Sequence, residues 1–229
     1  MAEHIGIVAC SAEGAALCYR TICTEGADLM GRHAHPEVTM HTFPLNQYMR
    51  YIEADDWEGV GSLMVHSVTK VAKAGADFAI CPDNTIHQAF DLVVKDSPIP
   101  WLHIAGEVAA EAKRQNYKYL GVLGTRFLME GPVYPAKLAP AGIEHRIPET
   151  KDRERINEII LDELVYGRFS QEARAYFKEI ITGLKNQGCD AVVLGCTEIP
   201  LLVTQQDSPL PVLDSTRLLA KAALKKATG

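Results

Sequence analysis

Apolar positions along the chain fall into two alternating patterns. Short continuous apolar runs, which suit strands buried on both faces, occur in "HIGIVACS" (4–11), "ADFAICP" (76–82), "IPWLHI" (99–104) and "YLGVLGT" (119–125). "VTMHTFPL" (38–45) alternates and is rich in β-forming residues. Between these runs the apolar spacing becomes helical. "VGSLMVHSVTKVAKAG" (60–75) predicts a helix that stops at Gly75, a residue suited to the position after a helix C-cap. "GEVAAEAKRQN" (106–116) predicts another. "RINEIILDELVYGRFSQEARAYFKEIITGLKNQG" (155–188) predicts two, broken near Gly167, with Ser170 as N-cap of the second. Strands that alternate with helices predict an α/β protein whose parallel sheets are covered on both faces.

The pattern also repeats. "IGIVACS" from Ile5 resembles "LGVLGTR" from Leu120, "GADFAICPDNT" from Gly75 resembles "GCDAVVLGCTE" from Gly188, and "PIPWLHI" from Pro98 resembles "PLPVLDS" from Pro209. The offsets are 115, 113 and 111 residues, in the same order. Loops absorb a drift of that size. The expected architecture is therefore two pseudo-symmetric lobes, each a parallel sheet flanked by helices. Residues 1–98 with 213–229 form the first lobe and 99–212 the second. Open parallel sheets bind ligands beyond the carboxyl ends of their strands. "DNT" (83–85) lies at such an end in the first copy and "CTE" (196–198) in the second. A pseudo-twofold would turn these ends towards one another, with the active site in the cleft between the lobes. Asp83 and Cys196 correspond, each eight residues after the glycine that starts its unit. Cys10 or Ser11 corresponds to Thr125.

Composition narrows the function. Of 229 residues, 47% are apolar and 23% charged, with net charge -6 and no basic stripe, which argues against a nucleic-acid partner. No apolar run reaches the length of a membrane span. The N-terminal residues lack a basic stretch followed by a long apolar core, so a cytoplasmic protein is expected. Six cysteines without a CxxC pair or finger-like histidine spacing predict neither a disulfide framework nor a zinc site. No P-loop, GxGxxG or PLP lysine is identifiable, so neither cofactor nor metal is implied.

"GADFAICPDNTIH" and "DAVVLGCTEIPLL" resemble the two signature segments of the aspartate/glutamate racemase superfamily. The similarity extends through "AHPEVTMHT", "LGTRFLMEGPVY", "IPETKDRERINEIILDEL" and "LPVLDS", nearly the whole chain. The second signature, Gly195-Cys196-Thr197-Glu198, matches in full. In the first, the family pattern Cys-Asn-Thr-x-His reads Asp83-Asn84-Thr85-Ile86-His87, with aspartate in place of the first cysteine. Cys81 sits two residues early, about 6.6 Å back along a strand, and does not replace it. The resemblance implies a cofactor-independent isomerase, assembled as a homodimer. One group removes the α-proton of a small amino acid or related carboxylate, and a second delivers a proton to the opposite face. Some broad-specificity amino-acid racemases of the superfamily carry Thr at the first position, and the related arylmalonate decarboxylases keep only the second thiol. Two basic residues that hold the side-chain carboxylate in aspartate racemases fall at Met49 and Val165, leaving Arg50 as a nearby substitute. The glycine-rich segment at the first strand end reads "ACSAEG".

Each candidate residue has a chemical and a structural interpretation. Cys196 is a thiol base if a helix N-terminus lowers its pKa, or a small buried apolar residue. Asp83 is an acid/base if burial raises its pKa, or an N-cap for the following helix. Asn84, Thr85, Thr125 and Thr197 are donors for the substrate carboxylate, where charge develops when the α-proton leaves, or turn and cap residues. Ser11 and Cys10 are expected to face the same cleft as further substrate-binding candidates, with Cys10 the less favoured choice for the opposing thiol. His87 is expected to partner a backbone group, and Glu198 to be a first-turn carboxylate. The sequence thus predicts a racemase or epimerase. The alternatives are a one-thiol isomerase or decarboxylase, or a degenerate carboxylate-binding protein.

Overall fold

The computed structural model describes residues 2–229, which form two compact units. One holds the chain up to Ile104 together with Thr216–Gly229, and the other is Ala105–Ser215.

In the first unit β1 (Ile5–Ala9) leads into α1 (Ala12–Met30), then β2 (Val38–Thr42), α2 (Leu45–Glu53), α3 (Trp57–Lys73), β3 (Phe78–Ile80), a 3-10 turn (Thr85–Ala89) and α4 (Phe90–Asp96). The sheet order is β2-β1-β3, all parallel, with Ile5 opposite Val38 on one side and Phe78 on the other. Every residue of the central strand is buried, while β2 at the edge is partly exposed. This matches the continuous apolar run of the first and the alternation of the second.

The second unit follows α5 (Ile104–Arg114) with β4 (Tyr119–Leu123), α6 (Arg126–Met129), α7 (Val133–Leu138), β5 (Glu144–Arg146), α8 (Thr150–Asp162), α9 (Gln171–Asn186), β6 (Ala191–Leu194), α10 (Ile199–Leu202) and β7 (Val212–Asp214). Its parallel sheet runs β5-β4-β6-β7. The chain then returns to the first unit in α11 (Ser215–Thr228), whose Leu219, Ala220, Ala223, Leu224 and Ala227 pack on Ile5, Ile7 and Ile22.

The internal repeat is visible in each unit's own bonding. Trp101 makes a parallel bridge to Ala79, so the first sheet also has a fourth position, equivalent to β7. Gly75 ends the α3 segment at φ +102° and Gly188 ends the α9 segment at φ +88°, a region that favours glycine. Two residues later, Asp77 Oδ2 accepts the His4 N–H at 2.7 Å, and Asp190 Oδ2 accepts those of Lys118 and Tyr119 at 2.6 and 2.9 Å. In both copies one aspartate anchors the start of the neighbouring strand.

The unit boundaries differ from the expected 98/99 and 212/213. The bridge from Trp101 to Ala79 keeps residues 99–104 in the first unit, and the pairing of β7 with β6 keeps Val212–Asp214 in the second. The break near Gly167 is present, at φ +69°, and Ser170 Oγ accepts the Ala173 N–H at 3.1 Å as the N-cap of α9.

Candidate functional site

The strand ends of the second unit carry Thr125, Cys196, Thr197 and Glu198. β6 ends at Leu194, and Gly195 continues it, donating its N–H to the Leu123 carbonyl at 2.7 Å. A side chain has no room at Gly195: a Cβ would lie 2.8 Å from Leu123 O and 2.6 Å from Leu128 Cδ2. The glycine of the signature therefore lets β6 press against β4 and delivers Cys196 at the strand end.

Cys196 and Glu198 are both buried, Glu198 only 2% exposed. The Cys196 thiol donates to Glu198 Oε2 at 3.0 Å, and the Thr197 hydroxyl donates to the same oxygen at 2.8 Å. Glu198 Oε1 is buried without a protein partner. This arrangement corrects three expectations. The segment after Cys196 is a helix of four residues, with Pro200 in its first turn, too short to sustain the macrodipole invoked to acidify the thiol. Glu198 does not serve as a first-turn carboxylate; it folds back onto the thiol. Thr197, expected to offer its hydroxyl proton to substrate, directs that proton to Glu198. Thr125 caps α6, its Oγ1 accepting the Leu128 N–H at 3.2 Å. Beneath these groups the buried Tyr134 hydroxyl hydrogen-bonds Ser215, which in turn donates to the Leu194 carbonyl at 2.8 Å.

The first unit brings together Cys10 and Ser11 after β1, Asp83, Asn84 and Thr85 after β3, and Tyr48 from α2. Cys10, Ser11, Asn84, Thr85 and Tyr48 are all buried. The N-cap position of the 3-10 turn belongs to Asn84, one residue after the expected cap Asp83. The Asp83 carbonyl accepts from His87 Nδ1 at 2.7 Å and, weakly, from the Cys81 thiol at 3.7 Å. His87 Nε2 accepts the Ile104 N–H at 3.3 Å. The ring is thus a neutral tautomer that ties the Asp83 turn to the start of α5, the structural role expected of it. Burial, with the Asp83 charge in support, pushes the Cys81 thiol well above its ordinary range. That keeps it a protonated core residue.

Arg50 is not brought to this group. It is exposed, with its guanidinium 5.9 Å from the centre of the Tyr51 ring. Positions two apart on a helix do not face the same way, so the burial of Tyr48 leaves Arg50 on the solvent side. Nothing in the sequence motifs singles out Tyr48, which is fully buried here. The spacing of Tyr48 and Ile52, four residues apart, was the available signal for the buried face of α2.

All six cysteines are thiols, and no group of three or more potential metal ligands occurs among the described residues. No helix among them is long and apolar enough to cross a membrane.

The duplicated parallel sheets, with a thiol at one repeat's strand end, can be compared with known proteins. The family model for Asp/Glu/hydantoin racemases matches residues 7–223. The chain belongs to that family. It is 31% identical to a candidate Asp/Glu racemase from Yersinia pestis, whose crystal structure superposes with a TM-score of 0.90 over 99% of this chain and 100% of that one. An aspartate racemase homologue from Pyrococcus horikoshii OT3 is 25% identical, with a TM-score of 0.85 and full coverage of both chains. RacX, a broad-specificity amino-acid racemase of Bacillus subtilis (strain 168), is 24% identical over 83% of this chain and 81% of its own. These relatives bear out the racemase resemblance and the two-lobed α/β fold.

Proposed function

We propose that the protein is a cofactor-independent racemase or epimerase of a small amino acid. Cys196 serves one face of the α-carbon and Asp83 the other. In one direction the Asp83 carboxylate takes the α-proton, the C–H electron pair passes into the substrate carboxylate, and the Cys196 thiol supplies a proton to the opposite face. In the other direction the roles reverse. Asn84, Thr85 and Thr125 supply donors to the carboxylate that gains charge, an arrangement that favours the transition state. The two groups and these donors suffice for the step without a cofactor. By resemblance to the family, the protein acts as a homodimer.

The single observation that carries this reading is the Cys196 thiol poised on Glu198 at the end of β6. A thiol kept only for packing needs no buried carboxylate beside it, because burying a carboxylate is costly. With the thiol bonded to that carboxylate, Cys196 rests as the proton donor, and Glu198 holds the donor in place.

The test is a panel of L- and D-amino acids in deuterated water, followed by loss of the α-proton signal. The reading expects at least one amino acid whose two enantiomers both acquire deuterium, with activity surviving dialysis and hydroxylamine. Loss of carbon dioxide from a substrate with two carboxylates, without exchange into amino acids, would replace it with the decarboxylase alternative.

A further inference from the structure

Tyr48 and Tyr134 are the two tyrosines with fully buried side chains among the described residues. The Tyr134 hydroxyl is partnered by Ser215. The Tyr48 hydroxyl has no protein partner. A buried hydroxyl without a partner is destabilising, whereas phenylalanine would fill the same space without that cost. The hydroxyl therefore has to be accounted for by something outside the apolar packing of α2.

Its surroundings indicate what. α2 follows the carboxyl end of β2, and the phenol lies within electrostatic reach of Cys10, Cys81 and Asp83, which follow β1 and β3. Burial, followed by those three groups, raises its pKa far above the ordinary tyrosine value. The phenol stays neutral, a hydrogen-bond donor at every working pH. It stands at the carboxyl ends of three adjacent parallel strands, where open sheets hold their ligands.

We infer that the Tyr48 hydroxyl is a substrate-binding group, donating its hydrogen bond to a carboxylate oxygen of the ligand held beside Asp83. A carboxylate accepts and never donates when ionised, so it complements a buried phenol that has no acceptor of its own. Bonds to a charged acceptor are also the stronger class. Assigning that carboxylate to an α-amino acid rests on the proposed function; the donor itself rests on the burial and the missing partner.

The experiment uses 2-methylalanine, 2-methylaspartate and 2-methylglutamate, which lack an α-hydrogen and so bind without turning over. Their affinities for wild type and Tyr48→Phe are measured by calorimetry, alongside each protein's thermal midpoint. The inference expects at least one probe to bind wild type and to bind Tyr48→Phe about 10- to 100-fold more weakly, the loss of one bond to a charged group. It also expects the midpoint of Tyr48→Phe to be unchanged or higher, because a packing role for the hydroxyl would lower it. An ultraviolet difference spectrum on probe addition, present in wild type and absent in Tyr48→Phe, gives an independent reading. Affinities within about twofold of one another, inside ordinary variation between sites, would overturn the inference, as would no binding of any probe to wild type. Tyr48-dependent binding without α-deuterium exchange would defeat the racemase reading and leave the subsite standing. Exchange by Tyr48→Phe at the wild-type rate would do the reverse.

Discussion

The Cys196 thiol and the Glu198 carboxylate are joined by a 3.0 Å hydrogen bond in the interior of the second unit, and Thr197 donates to the same oxygen at 2.8 Å. Glu198→Gln keeps the shape and an acceptor but removes the charge. Hydrogen bonds to charged groups contribute about 1.5–3 kcal/mol. The variant is expected to lose about 10- to 100-fold in kcat with KM little changed. Steady-state racemisation rates check it; a loss confined to KM would make Glu198 a binding residue instead.

Cys196→Ala removes the proposed proton donor and only a small volume from the core cluster around Ile156, Leu194 and Ile199. Positioned acids and bases contribute about 10²–10⁴-fold to rate. Turnover is expected to fall by at least that factor while the thermal midpoint stays near wild type. Polarimetry and calorimetry together distinguish loss of chemistry from loss of fold.

Gly195→Ala tests the strand-end packing. The new Cβ meets a backbone oxygen, Leu123 O, at 2.8 Å, and backbone cannot swing aside as a side-chain tip can. Overpacking of this kind costs about 1–3 kcal/mol. Urea unfolding should show a lower midpoint at unchanged slope, with activity reduced because the shift falls next to Cys196.

Much of the fold could be read in the sequence because it depends on periodicity. The buried β1 and β3, the partly exposed β2 and the glycine stops at 75 and 188 all follow from side-chain pattern and backbone freedom. So does the repeat, which reappears as the paired anchoring roles of Asp77 and Asp190. The candidate residues at each unit's strand ends could be picked out from the sequence; the bonds they make could not. A thiol two positions from a carboxylate reads as a strand-end cysteine and a helix start. Only the four-residue length of α10 and the buried turn at Thr197 fold Glu198 back onto Cys196. Tyr48 was hidden for a similar reason. A tyrosine on an amphipathic helix looks like core, and the missing partner of its hydroxyl is a property of packing, not of spacing.

His41 makes stability depend on pH. Its Nδ1 bonds Ser67 Oγ at 2.8 Å, Lys70 Nζ bonds Nε2 at 2.9 Å, and the Phe43 ring meets it edge-on. Burial, then the Lys70 charge, lowers its pKa from the ordinary 6.5. Between the lowered value and 6.5 the unfolded chain binds more protons, so stability rises with pH across that window. The contribution is complete above 6.5 and is lost as pH falls through the folded value. Thermal midpoints recorded between about pH 5 and about pH 8 should fall on the acid side in wild type and fall less in His41→Asn.

Two-sided proton transfer by residues 83 and 196 is the central proposal. The most direct measurement is solvent deuterium incorporation at the α-carbon, from each enantiomer separately, by wild type, Asp83→Asn and Cys196→Ala. The prediction is exchange from both enantiomers by wild type and near-complete loss of interconversion in both variants. An Asp83→Asn protein that interconverts enantiomers at the wild-type rate, or a wild type that exchanges neither enantiomer of any amino acid, would contradict it.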